Sequence, residues 1–125
     1  MMTKALIVDD SRAMRLILSR TLTELGFEVD QAANGREALE IFKQRGASFG
    51  LALVDWNMPE LSGIEFIRRV RAVPEFNSVR LMMVTSEIEL EQMSLALEAG
   101  ADEYVMKPFT REAVEDKLRL LGVIE

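Results

Sequence analysis

The chain has 125 residues, 49% of them apolar, with 15 basic and 21 acidic side chains and a formal net charge of −6. That is one domain with an ordinary core, too apolar for a disordered chain and too acidic for bare nucleic acid or anionic membrane as partners. Cys and His are absent, which excludes disulfides, thiolate chemistry, zinc–thiolate sites and a histidine general base, and leaves hard cations on oxygen ligands as the resident metals.

From the N-terminus, Met1-Met2-Thr3-Lys4 enters the apolar run Ala5 to Val8 and meets charge at Asp9. A secretory signal would stay apolar to a cleavage site, and no run reaches the roughly 18 residues of a membrane span, so a cytoplasmic protein is expected. Ser11 to Leu25 carries Ala13, Met14, Leu16, Ile17, Leu18, Leu22 and Leu25, a spacing that predicts a helix with a broad buried face. Gly26 ends it, where a left-handed residue is wanted. Phe27 to Ala32 alternates apolar and polar and predicts an edge strand. Asn34 and Glu37 have capping-box spacing for a second helix, closed by Gly46. Leu51 to Val54 is a third strand running into Asp55. The loop Asn57 to Gly63 leads to a helix over Ile64 to Val73, stopped by Pro74. Val79 to Val84 is a fourth strand running into Thr85. Ile88 to Ala99 is a helix closed by Gly100. Tyr104 to Met106 is a short strand before Lys107-Pro108, and Thr110 caps a last helix to about Leu121, ahead of Gly122. Five strands and five helices in strict alternation argue an α/β fold with a parallel sheet and right-handed crossovers. No linker or repeat divides residues 1–125, and with few residues beyond the last helix one domain without an attached output domain is expected.

Four strands therefore end in groups suited to phosphate chemistry: Asp9-Asp10, Asp55, Thr85 and Lys107. A parallel sheet gathers the carboxyl ends of its strands on one rim, where ligands of open α/β sheets bind. Two carboxylates about 4 Å apart repel by roughly 4 kcal/mol at an effective dielectric of 20, which a divalent cation would offset. Taken alone, adjacent acids after a strand also serve to cap the next helix. Asp55 has the chemistry of a nucleophile toward phosphorus. Lys107 supplies a compact cation and Thr85 a hydroxyl for the phosphoryl oxygens.

Asp9-Asp10, Asp55, Thr85 and Lys107-Pro108 resemble the signature of bacterial response-regulator receiver domains, and so do Asp55-Trp56-Asn57-Met58-Pro59, Gly63 and Ala99 to Tyr104. The likeness covers essentially the whole chain and is nearest in style to the single-domain, CheY-like members. It implies the flavodoxin-like (βα)5 fold with sheet order 2-1-3-4-5, the order of flavodoxin and CheY themselves, and helices on both faces. It implies a two-component signalling switch, not an enzyme, with Asp55 as phosphoacceptor and Mg²⁺ as cofactor. Asp9, Asp10, Asp55 and the Asn57 backbone carbonyl would form the metal site, with Asp10 the direct ligand and Asp9 acting through water. Thr85 and Tyr104 would be switch residues, Lys107 would pair with Asp55 or the phosphoryl group, and the bond before Pro108 would be cis. Asn57, Met58, Ser86 and Glu87 flank the site, where receivers set the lifetime of the aspartyl phosphate.

The partners so implied are a sensor histidine kinase as phosphodonor, an output protein such as a flagellar motor switch component, and a phosphatase. A phosphorelay intermediate and a receiver excised from a larger regulator stay open as alternatives. A Mg²⁺-dependent phosphatase of the haloacid dehalogenase type wants an acid two residues after the nucleophile, and Asn57 stands there. A flavodoxin wants a hydroxyl- and glycine-rich phosphate loop, and Asp9-Asp10-Ser11-Arg12 is acidic.

Overall fold

Side chains alternate along a strand, so a strand covered on both faces must be apolar throughout. Ala5, Leu6, Ile7 and Val8 are all fully buried for this reason: Ala5 and Ile7 join one core, Leu6 and Val8 the other. The computed structural model describes residues 2–86 and 90–125. Its strands are β1 (Lys4–Val8), β2 (Glu28–Ala32), β3 (Phe49–Asp55), β4 (Arg80–Thr85) and β5 (Glu103–Met106). Its helices are α1 (Arg12–Glu24), α2 (Gly35–Arg45), α3 (Gly63–Arg71), α4 (Leu90–Ala99) and α5 (Arg111–Leu120). The sheet is parallel with order β2-β1-β3-β4-β5. One core lies between the sheet and α2, α3 and α4, around Phe42, Phe66, Ile67 and Val70. The other lies between the sheet and α1 and α5, around Leu18, Leu22, Val114 and Leu118. This is the flavodoxin-like arrangement with helices on both faces.

Local signals place the helices. Ser11 Oγ accepts the Met14 N–H, Asn34 Oδ1 the Glu37 N–H, Ser62 Oγ the Glu65 N–H and Thr110 Oγ1 the Ala113 N–H. Glu37 reaches back, but its carboxylate accepts from Ala33 N–H at 3.4 Å, one residue before the cap. Gly26 leaves α1 with φ of 97°. Gly46 is the C-cap of α2 in ordinary right-handed backbone; what requires glycine there is room, since a Cβ would lie 2.6 Å from the Phe42 ring and 2.8 Å from the Phe76 ring. The predicted start of the fourth helix, Ile88, lies outside the described residues.

The broad buried face expected of α1 is not found. Only Leu18 and Leu22 are buried, and Leu16 and Ile17 are 56% and 52% exposed. Met14, Leu18, Leu22 and Leu25 follow i, i+4, i+8, i+11 spacing and form the stripe that meets the sheet; Leu16 and Ile17 fall beside it. Among the described residues, no helix is long and apolar enough to cross a membrane.

Candidate functional site

The register of the sheet assembles the site. Val8 pairs with Val54, so the next residues, Asp9 and Asp55, emerge side by side. Asp55 pairs with Val84, and Thr85 with Met106. The ends of β1, β3, β4 and β5 thus bring Asp9, Asp10, Asp55, Thr85 and Lys107 to one rim. Asp9, Asp55 and Thr85 are buried, at 1%, 8% and 2% exposure, while Asp10 is exposed. Lys107 starts two strands from Asp55, and its side chain crosses the end of β4. Its Nζ lies 3.2 Å from Asp55 Oδ1 and 3.5 Å from Asp9 Oδ2. The Lys107 N–H donates to the Thr85 carbonyl at 2.7 Å, and the Lys107–Pro108 peptide is cis.

Three carboxylates and one ammonium leave this rim anionic. Burial lifts the Asp55 pKa above the ordinary carboxylate value. Asp9's charge adds to the rise, Lys107 opposes it by charge and hydrogen bond, and Asp10 adds the smallest part. Carboxylate oxygens of Asp9, Asp10 and Asp55 can lie within 4.8 Å of one another. An all-oxygen, net-negative donor set of that size suits a hard dication, and Mg²⁺ takes such ligands with several waters retained.

Asp9 also caps: its Oδ1 accepts the Ser11 N–H at 2.8 Å, just before α1. The capping role and the cluster role coexist, because the other oxygen faces Lys107. Around Asp55 the chain is tightly folded. The Trp56 N–H donates to the Val84 carbonyl and the Gly63 N–H to the Trp56 carbonyl at 3.0 Å. The loop from Asn57 thereby folds back on the strand end. Asn57 and Ser86 are exposed and Met58 and Tyr104 half-buried; Glu87 lies outside the described residues.

Two features of the structure were not expected from the sequence. Arg15 Nη1 donates to the Asp9 carbonyl at 2.7 Å and Nε to Gln31 at 3.2 Å, pinning the end of β1. Long helical side chains lean toward the helix N-terminus, so a cation one turn into α1 was the available signal. At the opposite rim, the Arg71 guanidinium donates to the carbonyls of Gly100, Phe76 and Val79 and to Asp102 at 2.7 Å. No local sequence signal marks that set.

The family described as response regulator receiver domain matches residues 5–119. The chemotaxis protein CheY1 of Helicobacter pylori is 39% identical over 119 residues, 94% of this chain and 95% of its own length. Among solved structures, the chemotaxis protein CheY4 of Vibrio cholerae superposes with a TM-score of 0.88 at 36% identity, covering 96% of this chain and 98% of its own. The CheX–CheY–BeF3–Mg complex of Borrelia burgdorferi gives a TM-score of 0.89 at 26% identity, covering 96% of this chain and 89% of that one.

Proposed function

The chain belongs to the response regulator receiver family, and from that premise we propose that residues 1–125 form one receiver domain whose Asp55 accepts a phosphoryl group from a phosphohistidine of a sensor histidine kinase. Receivers of this CheY-like kind are signalling switches and not turnover enzymes. In the transfer, an Asp55 carboxylate oxygen attacks phosphorus in line. The phosphorus–nitrogen bond to the donor imidazole breaks, and that nitrogen keeps the electron pair. Lys107 bears charge on the transferred oxygens, and the Thr85 hydroxyl donates to one of them. Asp9, Asp10, Asp55 and the Asn57 carbonyl would hold Mg²⁺, which when bound neutralises charge on the same oxygens.

The single observation carrying this reading is Lys107 reaching across the end of β4 to both Asp55 and Asp9. A nucleophilic carboxylate and a cation then meet at one point, with Thr85 at the neighbouring strand end. The phosphoryl group adds up to about two negative charges. It would draw Thr85 and Lys107 toward it, with Tyr104 moving inward, and so alter the surface of α4, β5 and α5. Control of chemotaxis through an output protein such as a flagellar motor switch component is the favoured result, supported by near-full-length likeness to CheY homologues. A phosphatase is the expected third partner, and the cytoplasm the expected compartment.

The test is labelling with a small phosphodonor in Mg²⁺. Wild type should take up one phosphate that alkali or hydroxylamine releases, and Asp55→Asn none. Label on the Asn variant, or repeated turnover of a phosphate monoester by wild type, would refute the reading. Capture of a motor protein by the beryllofluoride-loaded form alone would support the chemotaxis output.

A further inference from the structure

Tyr104 sits on β5, the edge strand, with its ring against the core shared by α2, α3 and α4. Its neighbour Val105 faces the opposite core, under α5. Lys117 of α5 comes round the open edge between these two sides. Its Nζ is 2.9 Å from Glu103 Oε1 and 4.4 Å from the centroid of the Tyr104 ring. The same Glu103 oxygen accepts the Tyr104 N–H at 3.1 Å. One carboxylate oxygen therefore fixes both the backbone of Tyr104 and the ammonium over its ring. The Lys117 and Glu103 side chains are only 28% and 20% exposed, so water does not wash the pair freely.

We propose that Lys117, anchored by Glu103, is a positioning residue: a clasp that holds the Tyr104 ring at the β5 edge and sets how far the protein leans against activation. The proposal rests on the reading of Tyr104 as a residue that moves inward when Asp55 is phosphorylated. An inward ring must leave the ammonium. A cation at this distance from an aromatic face is attracted strongly enough to weight the equilibrium about two- to fivefold. Glu103 sharpens the effect, because a lysine tied down loses less freedom when it meets the ring. Every receiver that uses an aromatic switch must balance it against resting contacts, and here those contacts come from α5.

Tyr104 is the single tyrosine of the chain, so 3-fluorotyrosine labelling gives one fluorine resonance. In wild type that line should move on saturation with Mg²⁺ and beryllofluoride. In Lys117→Met the unloaded line should already lie toward the loaded position. Half-saturation should need about two- to fivefold less beryllofluoride. Lys117→Arg, which keeps a cation over the ring, should restore both. Glu103→Gln, which keeps an acceptor but loses the charge, should shift both by a smaller factor. A displaced unloaded line in Lys117→Met with unchanged beryllofluoride affinity is a local effect of the lost charge and overturns the clasp. So does a wild-type line that moves on loading while the Met variant matches wild type in both readouts. A wild-type line unmoved by loading overturns the switch reading, and the clasp with it.

Discussion

Replacing Gly63 by Ala places one methyl group where the site has no room for it. A Cβ there would lie closer than 3.0 Å to the Asp55 carbonyl oxygen, 3.1 Å from its carbonyl carbon and 3.2 Å from Met83 Cε. Methionine can give way; the backbone of a buried central strand cannot. Either the end of β3 or the start of α3 must move by about 1 Å, the scale on which overpacking costs about 1–3 kcal/mol. The better helix propensity of Ala offsets about 1 kcal/mol of this, leaving about 0–2 kcal/mol of destabilisation. With about 2.1 cal/mol/K of unfolding entropy per residue, each kcal/mol is worth about 4 °C for a chain of 125 residues. Gly63→Ala should then melt up to about 8 °C below wild type. A shift of 1 Å in a reacting group can cost about a hundredfold in rate, so phosphorylation by a small donor should slow by about 10- to 100-fold. Gly26→Ala is the control. It has φ of 97° with nothing within 4 Å of the added carbon, so it should lose about 1–2 kcal/mol through backbone strain and phosphorylate normally. A Gly63→Ala protein with wild-type melting temperature and wild-type phosphorylation rate would refute the claim that close approach of α3 holds Asp55.

Asp55→Asn should be more stable than wild type at pH 7 in metal-free buffer. The folded protein holds the Asp55 proton to a higher pH than the unfolded chain does. The Asp55 contribution to wild-type stability is therefore full at low pH and is lost as pH rises from the ordinary value of 3.8 through the raised folded value. The gap in melting temperature should close on acidification below that window, and a gap independent of pH would contradict the burial argument. Millimolar Mg²⁺ should change the fluorescence of Trp56, the single tryptophan and the neighbour of Asp55, in wild type but not in Asp10→Asn; no response in wild type would count against the metal site. Arg71→Met should cost about 3 kcal/mol, the lower end for breaking a covered ion pair, since Arg71 and Asp102 side chains are 17% and 27% exposed. Its phosphorylation rate should stay at wild type, because Arg71 serves the opposite rim.

The residues easiest to place from sequence were those where burial is total. Leu51 to Val54 are fully buried, and an unbroken apolar run that ends in a carboxylate fits a central strand and little else. The rim followed from parallel pairing, but the neighbour order did not: alternation of strands and helices is compatible with several orders, and 2-1-3-4-5 came from the resemblance. On α1 the apolar count overstated burial, because Leu16 and Ile17 leave the stripe that touches the sheet. Arg71 was invisible for a different reason: it is defined by backbone carbonyls that tertiary folding brings to it. Arg71 bonds Gly100, 29 residues away, and Asp102, 31 residues away.

The packing also gives the proposed signal a direction. β1, β3 and β4 are clamped on both faces, with every residue from Leu51 to Asp55 and from Leu81 to Thr85 buried. A charge added at Asp55 has little freedom to displace them. β5 is short, lies at the sheet edge and holds only Val105 fully buried, and among the described side chains of α4 only Ala96 is buried while Leu95 and Leu97 are 43% and 51% exposed. Elements with few buried contacts open and shift at lower free energy than the core. Lys107 extends from the end of β5 and is hydrogen-bonded through its backbone to Thr85 on β4. Of the two groups that would answer a phosphoryl group, Lys107 is thus attached to the side of the sheet that yields, and its backbone bond ties it to Thr85 at the border of the clamped strands. Charge at Asp55 would leave the β2–β1 side in place and be expressed at α4 and β5, beside the Lys117–Tyr104 contact.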